Sequence, residues 1–109
     1  MGYETSTLSQ EISRVDAVSV GTTAVVVSNA NRRAMYVLRN ISTGGQILSI
    51  ALSDVTLAVA NTGIILNVND FFGDSDSGGY SCWKGQITAI SSAAGGTLAI
   101  TEIPQQTLK

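Results

Sequence analysis

The stretch Thr97–Ile103 reads Thr-Leu-Ala-Ile-Thr-Glu-Ile, and it decides the fold class of this chain. Its side chains alternate, with Leu98 and Ile100 on one side and small or polar residues between them. Because alternate side chains of a β-strand point to opposite faces of a sheet, this period predicts a strand with one buried face. Pro104 cannot donate a ladder hydrogen bond, so we expect the strand to end there.

The same period recurs along the rest of the chain, with turn-forming residues every 8–12 residues or so. The predicted strands are Val15–Val20, Thr23–Ser28, Ala34–Ser42, Ile47–Ser53, Gly63–Asn69, Gly79–Lys84, Gln86–Ser92 and Thr97–Ile103. Residues 70–79 are predicted to form the longest loop, and 54–61 could be a loop or a short strand. We therefore expect an all-β protein, an antiparallel β-sandwich or jelly-roll-like barrel of roughly seven to nine short strands.

A chain of 109 residues is long enough for one domain with its own core. We predict an extended N-terminal arm at 1–14, a β-sandwich domain at 15–104 and a C-terminal tail at 105–109. Tyr3, Leu8 and Ile12 are isolated apolar residues in the arm, and we expect them to dock on the body or on a neighbouring subunit. A disordered terminus is the alternative interpretation.

Charge and composition exclude some partners and favour others. Charged residues make up only 13% of the chain, against about 25% in typical soluble domains. Six basic residues and a net charge of −2 indicate that the protein has no nucleic-acid partner. The chain contains no apolar run long enough to predict a membrane span. A charge-poor, hydroxyl-rich surface is typical of a protein covered by neighbours, so we expect a homo-oligomer or a component of an assembly.

No combination of residues predicts catalysis. Histidine is absent, and Cys82 is the only cysteine, so neither an intramolecular disulfide nor a zinc site of cysteines and histidines can form. We interpret Cys82 as a small, half-buried apolar residue. The acidic residues fall mostly in predicted turns, where water keeps carboxylates ordinary. We expect no enzymatic activity, no cofactor and no metal.

Two weaker signals leave alternatives open. The spacing Asp74-x-Asp76-x-Gly78 resembles the first half of a calcium-binding loop, but position 85, where the distal glutamate would stand, is Gly. A solvated hairpin loop is favoured over a weak calcium site. Arg32 and Arg33 form the only adjacent basic pair, which could grip carboxylates of a partner or simply be solvated in a loop.

Three aromatic residues allow a further alternative. Tyr36, Tyr80 and Trp83 could form a platform for a sugar ring, although aromatic residues belong more often in a core or an interface.

Three parts of the chain resemble a known group of proteins. The segment Arg32–Ser42 resembles the element of a basic loop, a hydrophobic strand and Asn-x-Ser found in small virion proteins of tailed bacteriophages. Gly85–Ser92 and Gly95–Glu102 resemble the closing hairpin of the same proteins, and Asn61–Leu66 resembles their glycine-containing connection.

The resemblance implies a β-sandwich decoration (cement) protein or head-fibre-base protein, often a trimer, that binds the major capsid protein. Its place would be the capsid surface of the virion, after assembly in the host cytoplasm. A glycan- or receptor-binding module of a tail or fibre, and a head–tail connector or tail-tube subunit, are the alternative functions. The candidate partner interface consists of Tyr3, Leu8, Ile12, Arg32, Arg33, Tyr36, Tyr80 and Trp83.

Overall fold

A computed structural model describes residues 8–9, 13–105 and 107–108, with side chains described for 13–105. Within these ranges the chain forms strands and connections without a helix, so no described helix could cross a membrane. The strands are β1 Leu8–Ser9, β2 Arg14–Val20, β3 Val25–Ser28, β4 Arg33–Asn40, β5 Leu48–Leu52, β6 Ile64–Leu66, β7 Phe71–Ser75, β8 Ile87–Ser91, β9 Gly96–Pro104 and β10 Thr107–Leu108.

Eight of these strands form two four-stranded antiparallel sheets. The first sheet has the order β2-β9-β4-β7, and the second sheet has the order β3-β8-β5-β6. A separate short pair joins β1 to β10, with Leu8 opposite Leu108. The predicted all-β sandwich of short strands is confirmed, and the first long strand pairs with the last one.

The core lies between the two sheets and contains the inward members of each alternating strand. Leu98 and Ile100 of β9 face Leu48 and Ile50 of β5, and all four are at most 1% exposed. A buried leucine or isoleucine stabilises such a sandwich by roughly 2–5 kcal/mol relative to alanine. The other core members are Val20, Val27, Tyr36, Leu38, Leu66, Cys82, Ile87 and Ala89.

The pairing of β4 with β9 contains a register shift between Arg33 and Met35. An extra residue in one strand changes which side chains point inward. Arg33 is therefore fully buried although it stands at the polar start of the strand, and Tyr36 and Leu38 continue the inward face. Asn40 ends this inward row and is also fully buried.

Two predicted segments differ from the structure. Residues 71–75, predicted to be loop, form β7, which pairs along its whole length with β4 and completes the first sheet. Gly79–Lys84, predicted to be a strand, has no ladder partner and contributes only an isolated bridge between Ser77 and Tyr80. Hydrogen bonds from side chains hold this segment instead, as described below.

Residues 53–63 form a long loop that crosses the outer side of the second sheet, which resolves the ambiguous stretch 54–61. The backbone N–H of Ala58 donates to Thr88 Oγ1 at 2.9 Å, and that of Asn61 donates to Ser49 Oγ at 2.9 Å. Thr88 and Ser49 are buried although they point away from the core, because the loop covers them.

The loop returns to β6 through Gly63, whose φ is +73°. We expect Gly63→Ala to destabilise the fold twice over. The positive φ costs an alanine about 1–2 kcal/mol, and the new Cβ would collide with the carbonyl oxygen of Ile50. That overpacking adds about 1–3 kcal/mol. Gly45→Ala is the matched control, because its φ is +81° but no atom lies near its Cβ position.

Urea unfolding of both variants separates strain from collision. Equal losses of stability in Gly63→Ala and Gly45→Ala would contradict the close approach to Ile50.

Candidate functional site

The outer face of the first sheet is nearly free of charge. Its rows follow from the register: Val15, Thr101, Val37 and Gly73 lie side by side, and the next row contains Ala17, Ala99, Arg39 and Phe71. The remaining outward positions are Ser19, Met35, Ser75, Thr97 and Ile103. An antiparallel sheet that faces water usually alternates apolar-in with polar-out residues, so this face is unusual.

Several large apolar side chains are well exposed on this face. Val15 is 79% exposed on the edge strand β2, and Phe71 is 70% exposed on the opposite edge strand β7. Scattered exposed apolar residues are common on protein surfaces, whereas large contiguous apolar patches are typical of interaction surfaces. We name this set of outward residues the flat face.

Arg39 is the sole charged side chain of the flat face. It is exposed and has neither a hydrogen-bond nor an ion-pair partner among the described side chains. A guanidinium on an apolar surface binds a carboxylate through paired N–H donors. The flat face is therefore suited to a partner that is apolar but presents one acidic group.

The outer side of the second sheet is also apolar, and it is uneven. On the crossing loop, Val55 is 91% exposed, and Leu57 and Val59 are each more than half exposed. Ile65 and Val26 of the two edge strands extend the patch. Beside Val55 lies an apolar groove of about 600 Å³. It is lined by Ile50, Ala51, Leu52, Ser53, Thr56, Leu57, Val59, Thr62, Gly63 and Ile64.

A buried ion pair within the first sheet is hydrogen-bonded to Ser28 of the second sheet at one end of the sandwich. Arg33 Nε donates to Glu102 Oε2 at 2.7 Å, and the other Arg33 N–H groups donate to Ser28 Oγ and to backbone carbonyls. Those carbonyls belong to Asn29, Trp83 and Gly85. Because all five guanidinium donors have acceptors, the buried charge is compensated.

The environment of Glu102 lowers its pKa. Burial alone would raise it, but hydrogen bonds from Ser28, Arg33 and Asn31 stabilise the carboxylate more strongly. Arg14 also donates to Glu102, at 3.3 Å from the partly exposed side. The pair connects β9 of the first sheet to Ser28 of the second sheet, so its role is to hold the fold.

The carboxylates of the acidic loop accept hydrogen bonds from several neighbouring groups. Asp76 accepts from Lys84 Nζ at 2.7 Å, from Gln105 Nε2 and from the backbone N–H of Cys82. The hydrogen bond from Lys84 is the largest of the causes that lower the pKa of Asp76. Asp74 accepts from Tyr80 Oη at 2.5 Å. The carboxylates are occupied by donors and one of these is a cation, an arrangement unsuited to calcium.

The three aromatic residues do not form a platform. Tyr36 is fully buried beside Phe72, and burial followed by the charge of Asp74 raises its pKa to about 12. Trp83 lies over Gly85, packs against the core and donates its indole N–H to the Gln86 carbonyl. Only Tyr80 is exposed. The hypothesis of a sugar platform of these three side chains is wrong because they do not share a surface.

The other predicted interface residues are two arginines and three apolar residues near the N-terminus. Arg33 is buried, so its interpretation as a solvated or partner-binding loop charge is wrong, whereas Arg32 is exposed just before β4. Tyr3 and Ile12 lie outside the described residues, and Leu8 is described only by its backbone pairing with Leu108. Strand β2 begins at Arg14, the last residue of the predicted arm.

Cys82 is almost completely enclosed. Its side chain is 2% exposed, and burial raises its pKa above the ordinary value. No group of three side chains among the described residues is placed to hold a metal ion.

The sequence pattern alone did not predict the flat face as a unit. The signal was present, because the outward positions of the predicted strands lack charge, but the strand order that aligns them comes only from the structure. Comparison with known proteins adds no guide: no protein family, curated protein or solved structure matches this chain.

We expect Arg33→Met to lose about 3–5 kcal/mol of stability, because it leaves the buried Glu102 carboxylate with only the partly exposed Arg14, at 3.3 Å, as a cation. The double variant Arg33→Met/Glu102→Leu should recover much of that loss, since both charges are then removed. Arg39→Met is the control on the exposed side and should change stability by no more than about 0.5 kcal/mol. Strictly additive losses in urea unfolding would show that the two side chains are not coupled.

Acid should destabilise the native protein through Glu102. Its pKa is lower folded than unfolded, so its contribution is complete above the ordinary value of 4.5 and is lost as the pH falls through the folded value. Glu102→Gln should therefore flatten the dependence of unfolding free energy on pH below that value. An unchanged slope in this variant, measured by denaturant unfolding across the acid range, would assign the acid sensitivity to other carboxylates.

Proposed function

We propose that this protein is a structural component of a virion, which decorates and stabilises a tailed-phage capsid by binding across capsid subunits through the flat face. The observation that supports the proposal most directly is the near absence of charge from an entire exposed sheet face. The resemblance of Arg32–Ser42 and Gly95–Glu102 to small virion proteins points the same way.

The mechanism of stabilisation is the burial of apolar surface across a junction between capsid subunits. Burial stabilises by roughly 25 cal/mol for each Å² removed from water. The flat face can be covered without stripping water from many charges, a step that costs several kcal/mol for each unpaired ion. Hydroxyls of Thr97 and Thr101 can exchange water for hydrogen bonds across such an interface.

Arg39 gives this surface its selectivity. In a covered flat face its guanidinium would be desolvated, so a partner without a carboxylate opposite it would be disfavoured. We therefore expect an aspartate or glutamate on the major capsid protein to face Arg39. A connector or tail-tube subunit is the structural alternative, and it would assemble as a ring rather than bind to a preformed shell.

Co-sedimentation with empty capsids assembled from the cognate major capsid protein tests the proposal. We expect the protein to pellet with the capsids at a saturable ratio and to raise the temperature at which they dissociate. Phe71→Asp, which adds a charge to an exposed edge of the flat face, should weaken binding by a factor of about 10 or more.

The matched control is Ala94→Asp, which adds the same charge in an exposed turn away from the flat face. It should bind like the original chain. Failure of the unaltered protein to co-sediment would overturn the capsid assignment. Equal binding by Phe71→Asp would remove the flat face from the interface.

A further inference from the structure

The crossing loop on the second sheet has a projection and a cavity side by side. Val55 stands almost free of its own chain, at 91% exposure, and it is not among the residues that line the neighbouring groove. The groove, of about 600 Å³, is large enough to receive an aliphatic side chain and the residues around it.

We propose that this patch is the contact between copies of this chain, in which Val55 of each copy enters the groove of a neighbouring copy. A surface that carries both a projecting side chain (the knob, Val55) and a groove that can receive it can repeat the same contact around a closed symmetric oligomer. Each copy then gives one Val55 and receives another, so that a dimer or a trimer satisfies every patch.

Charge also favours a second copy as the occupant. None of the residues lining the groove is charged, so the groove of one copy presents no charge to the Val55 of the other. Asp54 lies next to Val55, but its Oδ1 already accepts from the backbone N–H of Gln86 at 2.8 Å. The flat face is less suited to self-association, because Arg39 has no carboxylate on that face with which to pair.

The size of the patch fits a small, specific interface. The exposed parts of Val55, Leu57, Val59, Ile65 and Val26 amount to an apolar area on the order of 500 Å². With the groove walls added, the area is on the order of 600 Å², below the roughly 800 Å² that each partner contributes to a standard-size complex but enough for a small one. Hydrogen bonds to Ser49 and Thr88 hold the loop in place, so the knob is ordered before association.

The contact does not depend on capsid binding, and its test uses the isolated protein. Sedimentation equilibrium over a concentration series should give a single dimer or trimer mass. Val55→Asp should shift the protein to monomer, with a dissociation constant raised at least about tenfold. Val55→Ile should keep the oligomer, because it preserves an apolar knob. Val15→Asp on the flat face is the matched control and should also keep it.

Disulfide trapping tests the contact without depending on the stability of any charged variant. Two single variants, Val55→Cys and Thr62→Cys, are mixed and oxidised, so that any bond between the two positions joins different chains. We expect covalent pairs from this mixture and few from Val15→Cys mixed with Thr62→Cys. The native Cys82 is too buried to compete.

A monomer at all concentrations, or an oligomer that Val55→Asp leaves intact, would overturn the inference. Open aggregates of increasing mass would overturn it as well, because the knob-and-groove contact would then fail to close. Capsid binding by an obligate monomer would leave the proposed function standing and remove only this contact.

Discussion

The buried pair of Arg33 and Glu102 is the constraint on which the rest of the sandwich depends. An ion pair in this position is stable only if every donor and acceptor is matched, which fixes the segments that supply the acceptors. Those segments are the turn after β3 and the loop before β8. The pair therefore sets the spacing of the two sheets at one end of the molecule.

A second buried polar residue does the same at the other end. Asn40 donates to the carbonyls of Gln46 and Leu66 and accepts from the backbone N–H of Ser42. Arg33 and Asn40 both lie on β4, a central strand of the first sheet. The hydrogen bonds of these two side chains join β4 to the second sheet. With β4 held at both ends, the two outer surfaces are fixed relative to each other and can meet different partners.

The sequence was informative where a strand has one buried face, and less so elsewhere. The period-two pattern predicted β5, β8 and β9, because their inward residues are mostly apolar. It missed β7, where Gly73 and Asp74 favour a turn, because pairing with β4 outweighs the local preference. Gly73 is suited to that place because a Cβ there would press on the carbonyl of Tyr36. Gly79–Lys84 alternates like a strand but forms no ladder beyond the isolated bridge between Ser77 and Tyr80.

The candidate surfaces, like the strands, could be predicted from the sequence only in part. The lack of charge on outward positions can be read from the chain, but Val15 and Phe71 share a face only because β9 and β4 lie between their strands. The burial of Arg33 was hidden by the register shift, whereas Glu102 is in phase with Leu98 and Ile100 and could have been recognised as an inward charge. Contacts between residues 69 positions apart are beyond local pattern.

The enclosure of Cys82 gives the molecule a built-in reporter. Cys82 carries the one thiol of the chain, and its sulfur contacts Arg33 and Lys84. A modifying reagent therefore reaches this sulfur only when the segment around it opens. The rate at which the sulfur is modified therefore measures how often this end of the sandwich opens locally. Binding of a partner that keeps the segment closed would slow this modification.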